Sequence, residues 1–353
     1  MCRYQRCRRR VASLFSLDAF GLGGAWLADH GFASAEFGAH SWATPALSTE
    51  YPSTMSFATQ LADAVRRTRS VTCVGLDPRK ASLPAPLRDA VANDRPEEWA
   101  AAYTQFCCEI IDVVGDRVPC VKPQAAFFEQ LGPAGMISLG EVVAYARSKN
   151  LLVILDGKRN DIGSTATAYA DAYLGAESPW GSDSLTVSPY LGRDSIEPFV
   201  DVCDRRDAGV FVLVKTSNPG GGLLQNRKTD GQTVFECVAE LLTELNASRQ
   251  NAEGYGPLGA VVGATYPQEL AEMRAALPHS WILIPGFGAQ GGAADDVKVG
   301  FHEGGMGAVV NSSRHIIFAH ARPEYADKFG DARWHDAVAA ATEQMNAQLD
   351  LVK

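Results

Sequence analysis

Two acids and a lysine fall within Asp156-Gly157-Lys158-Arg159-Asn160-Asp161, and Val121-Lys122-Pro123-Gln124 places a second lysine upstream of them. Side chains on a strand alternate between its faces, so Asp156 and Lys158 are expected on one side, with Gly157 between them letting the backbone crowd close. An acid and a base are thereby fixed a few ångströms apart. Asp161 lies beyond, on the following loop, and cannot share that geometry; it reaches in from another angle or reaches a neighbouring subunit's site. Lys122, from an adjacent strand, completes an alternating Lys-Asp-Lys-Asp set. Such a set fits either a structural salt-bridge network or a catalytic array, since both cluster perturbed groups. Buried ion pairs repay their desolvation poorly, which makes a network here a weak device for stability and favours catalysis.

Histidine occurs at positions 30, 40, 279, 302, 315, 320 and 335, outside the central motif, which leaves a Ser-His-Asp or Cys-His mechanism without a natural placement. His315, beside Arg314, reads as structural rather than as a ligand contact. No His/Asp/Glu cluster has metal-ligand spacing, so a catalytic metal is not expected. Two later segments suit an anion: Pro285-Gly286-Phe287-Gly288-Ala289-Gln290-Gly291-Gly292 and Asn311-Ser312-Ser313-Arg314. Glycines such as Gly288 and Gly291 expose backbone N–H donors, and Arg314 offers a bidentate fork with Gln290 beside the turn. Tight turns alone would explain the glycines but not Gln290 and Arg314. A phosphorylated ligand follows.

Short apolar runs rich in β-branched residues carry these groups at their C-terminal ends. They cover 71–76, 118–121, 151–155, 184–187, 209–214, 258–262, 281–284 and 307–310. Stretches of helical period follow, for example 97–114, 139–148, 164–173, 233–246 and 268–277. Continuous apolar strands alternating with helices point to a parallel sheet, and eight such units close naturally into an α/β fold of the (β/α)8 TIM-barrel type. An open doubly wound sheet would call for Gly-x-Gly-x-x-Gly after the first strand, where the chain instead reads Gly75-Leu76-Asp77-Pro78-Arg79. Phosphate binding by the last two strand ends is a habit of such barrels. Polar or charged residues at all eight ends are expected to converge on one mouth.

The 353 residues carry a net charge of −9, which repels phosphate backbones and argues against nucleic-acid binding. No apolar run is long enough to span a bilayer. Residues 1–54 are compositionally foreign, with five arginines in the first ten residues and a Gly/Ala/Ser-rich continuation. They read as a disordered tail or a start placed too far upstream of Met55, leaving one barrel domain over 55–353. Eight cysteines without a Cys-x-x-Cys pair, with Cys73, Cys120, Cys203 and Cys237 in or beside apolar runs, read as reduced and buried, in a cytosolic protein. The sequons at Asn246 and Asn311 read as accidental.

From about residue 56 to the C-terminus the chain resembles the orotidine 5'-phosphate decarboxylase family, in its longer bacterial-type branch. The resemblance rests on Gly75-Leu76-Asp77-Pro78, Val121-Lys122-Pro123-Gln124, the 156–161 motif continued through Ile162-Gly163-Ser164-Thr165, Thr216-Ser217-Asn218-Pro219 and the 285–292 segment. It implies decarboxylation of orotidine 5'-monophosphate to uridine 5'-monophosphate without a cofactor, in a homodimer with shared sites. It further implies Lys158 as proton donor, Asp156 against the departing carboxylate, and Lys122 holding Asp156 and a ribose hydroxyl. Asp77 would hold the ribose and Ser217 the base. Asp161 and Thr165 would enter the partner's site, and Gln290, Arg314 and the N–H groups of Gly288 and Gly291 would hold the phosphate. Residues 219–231 resemble a segment that closes over substrate.

Overall fold

The computed structural model describes residues 55–287 and 294–352. Its strands are β1 (Thr72–Leu76), β2 (Cys120–Pro123), β3 (Leu152–Arg159), β4 (Ser184–Val187), β5 (Gly209–Lys215), β6 (Lys228–Thr229), β7 (Gln232–Thr233), β8 (Leu258–Val262), β9 (Ile282–Ile284) and β10 (Ala308–Ser312). All but β6 and β7 close into a parallel barrel in the order β1-β10-β9-β8-β5-β4-β3-β2. The expected barrel is present, with every expected strand. β6 and β7 form a separate antiparallel ribbon in the connection after β5.

Each barrel strand is apolar along most of its length because helices cover its outer face while the interior is filled by side chains. Local chemistry sets the helix starts. Pro96 lies in the first turn of the Pro96–Val114 helix, followed by Glu97 and Glu98, whose charges suit the positive helix end. The Val234–Asn246 helix begins with a capping box, in which Thr233 Oγ1 accepts from Glu236 N–H at 3.3 Å and the Glu236 carboxylate accepts from Thr233 N–H at 2.6 Å. The expected helix over 139–148 starts earlier, at Gly132, with Pro133 in its first turn. At the start of β5, Phe57 of the Phe57–Thr68 helix packs edge-on against Phe211, ring centroids 6.1 Å apart. A Cβ on Gly209 would come within 2.3 Å of the Phe57 ring, so only glycine fits there.

Two expectations about side chains need correction. Cys237 is exposed, not buried, because it lies on the outer side of its helix. Lys215 does not join the mouth: its ammonium sits over the Phe235 ring at 4.7 Å and pairs with Glu269 at 3.1 Å and with Asn226. The sequon at Asn246 is closed to modification, since its amide is fully buried and donates to Leu258 O and Ser280 Oγ. Among the described residues no helix is long and apolar enough to cross a membrane. Residues 1–54, Gly288, Gln290 and Gly291 lie outside the described residues.

Candidate active site

β3 runs past its expected end to Arg159, so Asp156 and Lys158 are strand residues. Its register against β4 is regular at Ile154↔Ser184 and Leu155↔Leu185, then jumps to Arg159↔Val187. Four steps along β3 therefore match two along β4, which is a bulge. The left-handed residue in it is Lys158, with φ 45°, and not the glycine beside it. Plain alternation is thus not what unites Asp156 and Lys158; the bulge carries Lys158 to a position where its Nζ donates to Asp156 Oδ1 at 2.5 Å.

Lys122, opposite Gly75 in the β1–β2 register, donates to Asp156 Oδ2 at 2.8 Å. Thr186 Oγ1 donates to Asp156 Oδ1 at 2.9 Å. Burial pushes the Asp156 carboxyl upward, but the Lys122 and Lys158 ammonium groups and their hydrogen bonds outweigh it and hold the carboxyl well below the usual carboxylate range. Burial likewise pulls Lys122 down, and the charges of Asp156 and Asp77 reverse that and hold it above an ordinary lysine. The side chains of Lys122 and Asp156 are 6% and 10% exposed, that of Lys158 48%. Of the three, Lys158 is therefore the one open to a ligand.

Asp77, at the end of β1, is half-buried, and its Oδ1 is buried with no hydrogen-bond partner. Asn160 Oδ1, Asn311 Oδ1 and Ser313 Oγ share that condition. Leaving such a group unpaired costs about 1–3 kcal/mol, so these strand-end oxygens suit a ligand that brings donors, as sugar hydroxyls do. Asn311 and Ser313 gather around Gly75, where a Cβ would lie 2.7 Å from Ser313 Cβ and 3.3 Å from Asn311 Oδ1. Ser217, half-buried after β5, is admitted by Gly263, whose Cβ would lie 2.8 Å from Ser217 Cβ. Gln225 ties the 219–231 segment to the β5 end by accepting from Thr216 N–H at 3.0 Å and donating to Thr216 Oγ1 at 2.7 Å.

Among the described residues, neither Asp161 nor Thr165 makes a hydrogen bond or ion pair with this cluster. Asp161 Oδ1 accepts from Ile162 N–H at 2.8 Å, and its carboxylate makes no ion pair among the described residues; Thr165 is exposed. Arg314 is exposed at the start of the Arg314–Ile317 helix, directly after β10. His315 is half-buried, and burial together with the charge of Arg322 lowers its pKa, which suits a neutral structural residue. Among the described residues no group of His, Cys, Asp and Glu side chains gathers as metal ligands. Sequence reasoning missed Thr186, and it read the segment holding Asn311 and Ser313 only for an anion, not for their place around Gly75. A threonine in an apolar strand is ordinary β composition, so Thr186 carries no local signal.

The arrangement offers a half-exposed ammonium held against a buried carboxylate, with a second ammonium behind it. It can stabilise negative charge developing at the mouth and deliver a proton to it. Residues 70–329 match the model of the orotidine 5'-phosphate decarboxylase / HUMPS family. An orotidine 5'-phosphate decarboxylase of Rhodopirellula baltica is 69% identical over 299 residues, covering 84% of this chain and 99% of its own. One from Haloarcula marismortui is 43% identical with the same coverage. The solved structure of Leishmania donovani OMP decarboxylase superposes with a TM-score of 0.65 at 33% identity, covering 85% of this chain and all of its own.

Proposed function

The chain belongs to the orotidine 5'-phosphate decarboxylase / HUMPS family and decarboxylates orotidine 5'-monophosphate to uridine 5'-monophosphate, the last step of pyrimidine biosynthesis, and from that premise we propose that Lys122, Asp156 and Lys158 do the chemistry without a cofactor. Breaking the bond to the carboxylate leaves its electron pair on a ring carbon that no ring carbonyl can delocalise. The barrier reduction required lies toward the extreme of known catalysis, about 23 kcal/mol. The Lys158 ammonium stabilises that charge as it forms and donates a proton to the carbon as carbon dioxide leaves; water then reprotonates the amine. Asp156 faces the departing carboxylate. Two carboxylates about 4 Å apart repel by about 4 kcal/mol at an effective dielectric of 20, so ground-state stress supplies only a fraction and electrostatic stabilisation dominates.

Lys122 keeps Asp156 ionised and, with Asp77, holds ribose hydroxyls; Ser217 contacts the base. Arg314, Gln290 and the N–H groups of Gly288 and Gly291 bind the phosphate, whose binding energy keeps the 219–231 segment closed and the array aligned. Asp161 and Thr165 serve the site of a second subunit in a homodimer. The lack of any bond from them to the array among the described residues supports this, as do the exposed Ile162, Tyr190 and Leu191 on the loops after β3 and β4. The thiols of Cys73, Cys107, Cys120 and Cys203 are buried and unpaired, which supports a reducing, cytosolic setting.

The observation that carries the reading is the open Lys158 ammonium bonded to buried Asp156. It is tested by loss of substrate absorbance on incubation with orotidine monophosphate, with and without a chelator, for the native protein and for Lys158→Ala. The variant is expected to lose turnover and keep nucleotide binding. Substantial decarboxylation by Lys158→Ala would overturn the role.

A further inference from the structure

Thr186 is 1% exposed on β4, and its one hydroxyl bonds to both halves of the reactive pair. Its Oγ1 accepts from the Lys158 backbone N–H at 2.9 Å and donates to Asp156 Oδ1 at 2.9 Å. The direction of both bonds is forced. A backbone N–H can only donate and an ionised carboxylate can only accept, so the hydroxyl proton points at Asp156 and a lone pair at Lys158. The bond to Lys158 also replaces something lost. In the bulge, the strand ladder between Leu155 and Arg159 is interrupted and Lys158 sits at φ 45°, a conformation a lysine holds only when its surroundings impose it. With the β4 ladder out of register, the N–H of Lys158 takes a side-chain oxygen instead.

We propose that Thr186 is a positioning residue for the decarboxylation, its hydroxyl locking the bulged Lys158 backbone to the Asp156 carboxylate. This rests on the roles proposed above for Asp156 and Lys158. Asp156 has each oxygen held by a lysine, but both lysine heads end long rotatable chains, and the Lys158 head must leave Asp156 to give up its proton. Thr186 is the short, β-branched tether that holds the carboxylate when that bond loosens. It touches no part of a nucleotide's phosphate or ribose sites as assigned, so its loss should act on the chemical step.

Thr186→Val keeps the shape and removes the hydroxyl; Thr186→Ser keeps the hydroxyl. Thr186→Val is expected to lower kcat by about 10- to 100-fold, as small misplacements of reacting groups do. Its KM and its affinity for uridine monophosphate should stay within about 3-fold, which is the signature of an interaction used in the transition state. Thr186→Ser should return kcat to within about 3-fold of the native value. Valine with native kcat, serine as damaged as valine, or a loss carried by KM and nucleotide affinity would each overturn the inference. Should the valine protein not accumulate folded, Thr186→Ala against Thr186→Ser makes the same comparison. Lys158→Ala is assayed in parallel. Turnover in that variant overturns the site assignment itself, whereas an inactive Lys158→Ala with a native-like Thr186→Val overturns only the role of Thr186.

Discussion

Gly75 does not adopt a left-handed backbone, so its glycine identity reflects space rather than conformation. A Cβ there would meet Ser313 Cβ at 2.7 Å, and Ser313 immediately precedes Arg314, the residue assigned to the phosphate. Gly75→Ala is therefore expected to push the Ser313–Arg314 turn outward and lower kcat/KM for orotidine monophosphate by about 10- to 100-fold, with little loss of fold, because displacing a remote anchor misaligns the reacting end. Steady-state kinetics with a thermal melt check this; a native kcat/KM would show that Ser313 yields freely. At the same scale, the Lys122, Asp156 and Lys158 cluster was legible in the sequence as charged residues at neighbouring strand ends, although the bulge and not plain alternation brings Lys158 to Asp156. Thr186 was not, because its role depends on which oxygen it meets across the sheet. Asp161, expected on the loop beyond the strand, follows the last residue of β3 by two and, among the described residues, bonds only to Ile162 N–H.

Elements at the opposite end of the barrel answer for stability rather than chemistry. Gly307, with φ 83°, leads into β10 at a point where a Cβ would fall within 3.0 Å of Tyr255 Oη and His302 Nδ1. Buried Arg274 donates to Gly307 O and Ser280 O at 2.9 Å each, and Tyr255 Oη lies 2.7 Å from His302 Nδ1. Burial, with the neighbouring charges of Arg274 and His279, pushes the His302 pKa down to about 4. Between that value and the ordinary 6.5, the unfolded chain binds a proton at this site that the folded chain does not. The stability contributed by neutral His302 is complete above about 6.5 and is lost as the pH falls toward 4, amounting to about 2 kcal/mol after allowance for its partial exposure. His302→Gln keeps an acceptor for Tyr255 but cannot be protonated, so its thermal midpoint should fall less than that of the native protein between pH 7 and pH 4.5. Parallel slopes would remove His302 from the account. The β3 bulge belongs to this scale too: a regular strand of the same composition would hold Lys158 elsewhere.

For the whole molecule, the closed barrel sets one mouth, and the loops after β3 and β4 extend from it with exposed apolar side chains at Ile162, Tyr190 and Leu191. If Asp161 serves a partner's site, mixing Asp161→Ala with Lys158→Ala subunits rebuilds one complete site in each heterodimer. Activity should then rise from near zero toward half the native value per dimer, and verified heterodimers that stay inactive would remove the shared-site assignment. The barrel itself, its eight strands and the polar mouth followed from local periodicity: strands covered on both faces read as unbroken apolar runs, and their ends carry whatever faces the opening. Tertiary structure alone decided which polar ends turn inward. Lys215 swings to Phe235 and Glu269, Cys237 faces outward, and the left-handed residue of the central motif is Lys158 instead of Gly157. Periodicity is a property of a few consecutive residues. Register across a bulge, and the hydroxyl that stabilises it, depend on how eight strands close on one another, and no short stretch of the chain encodes that closure.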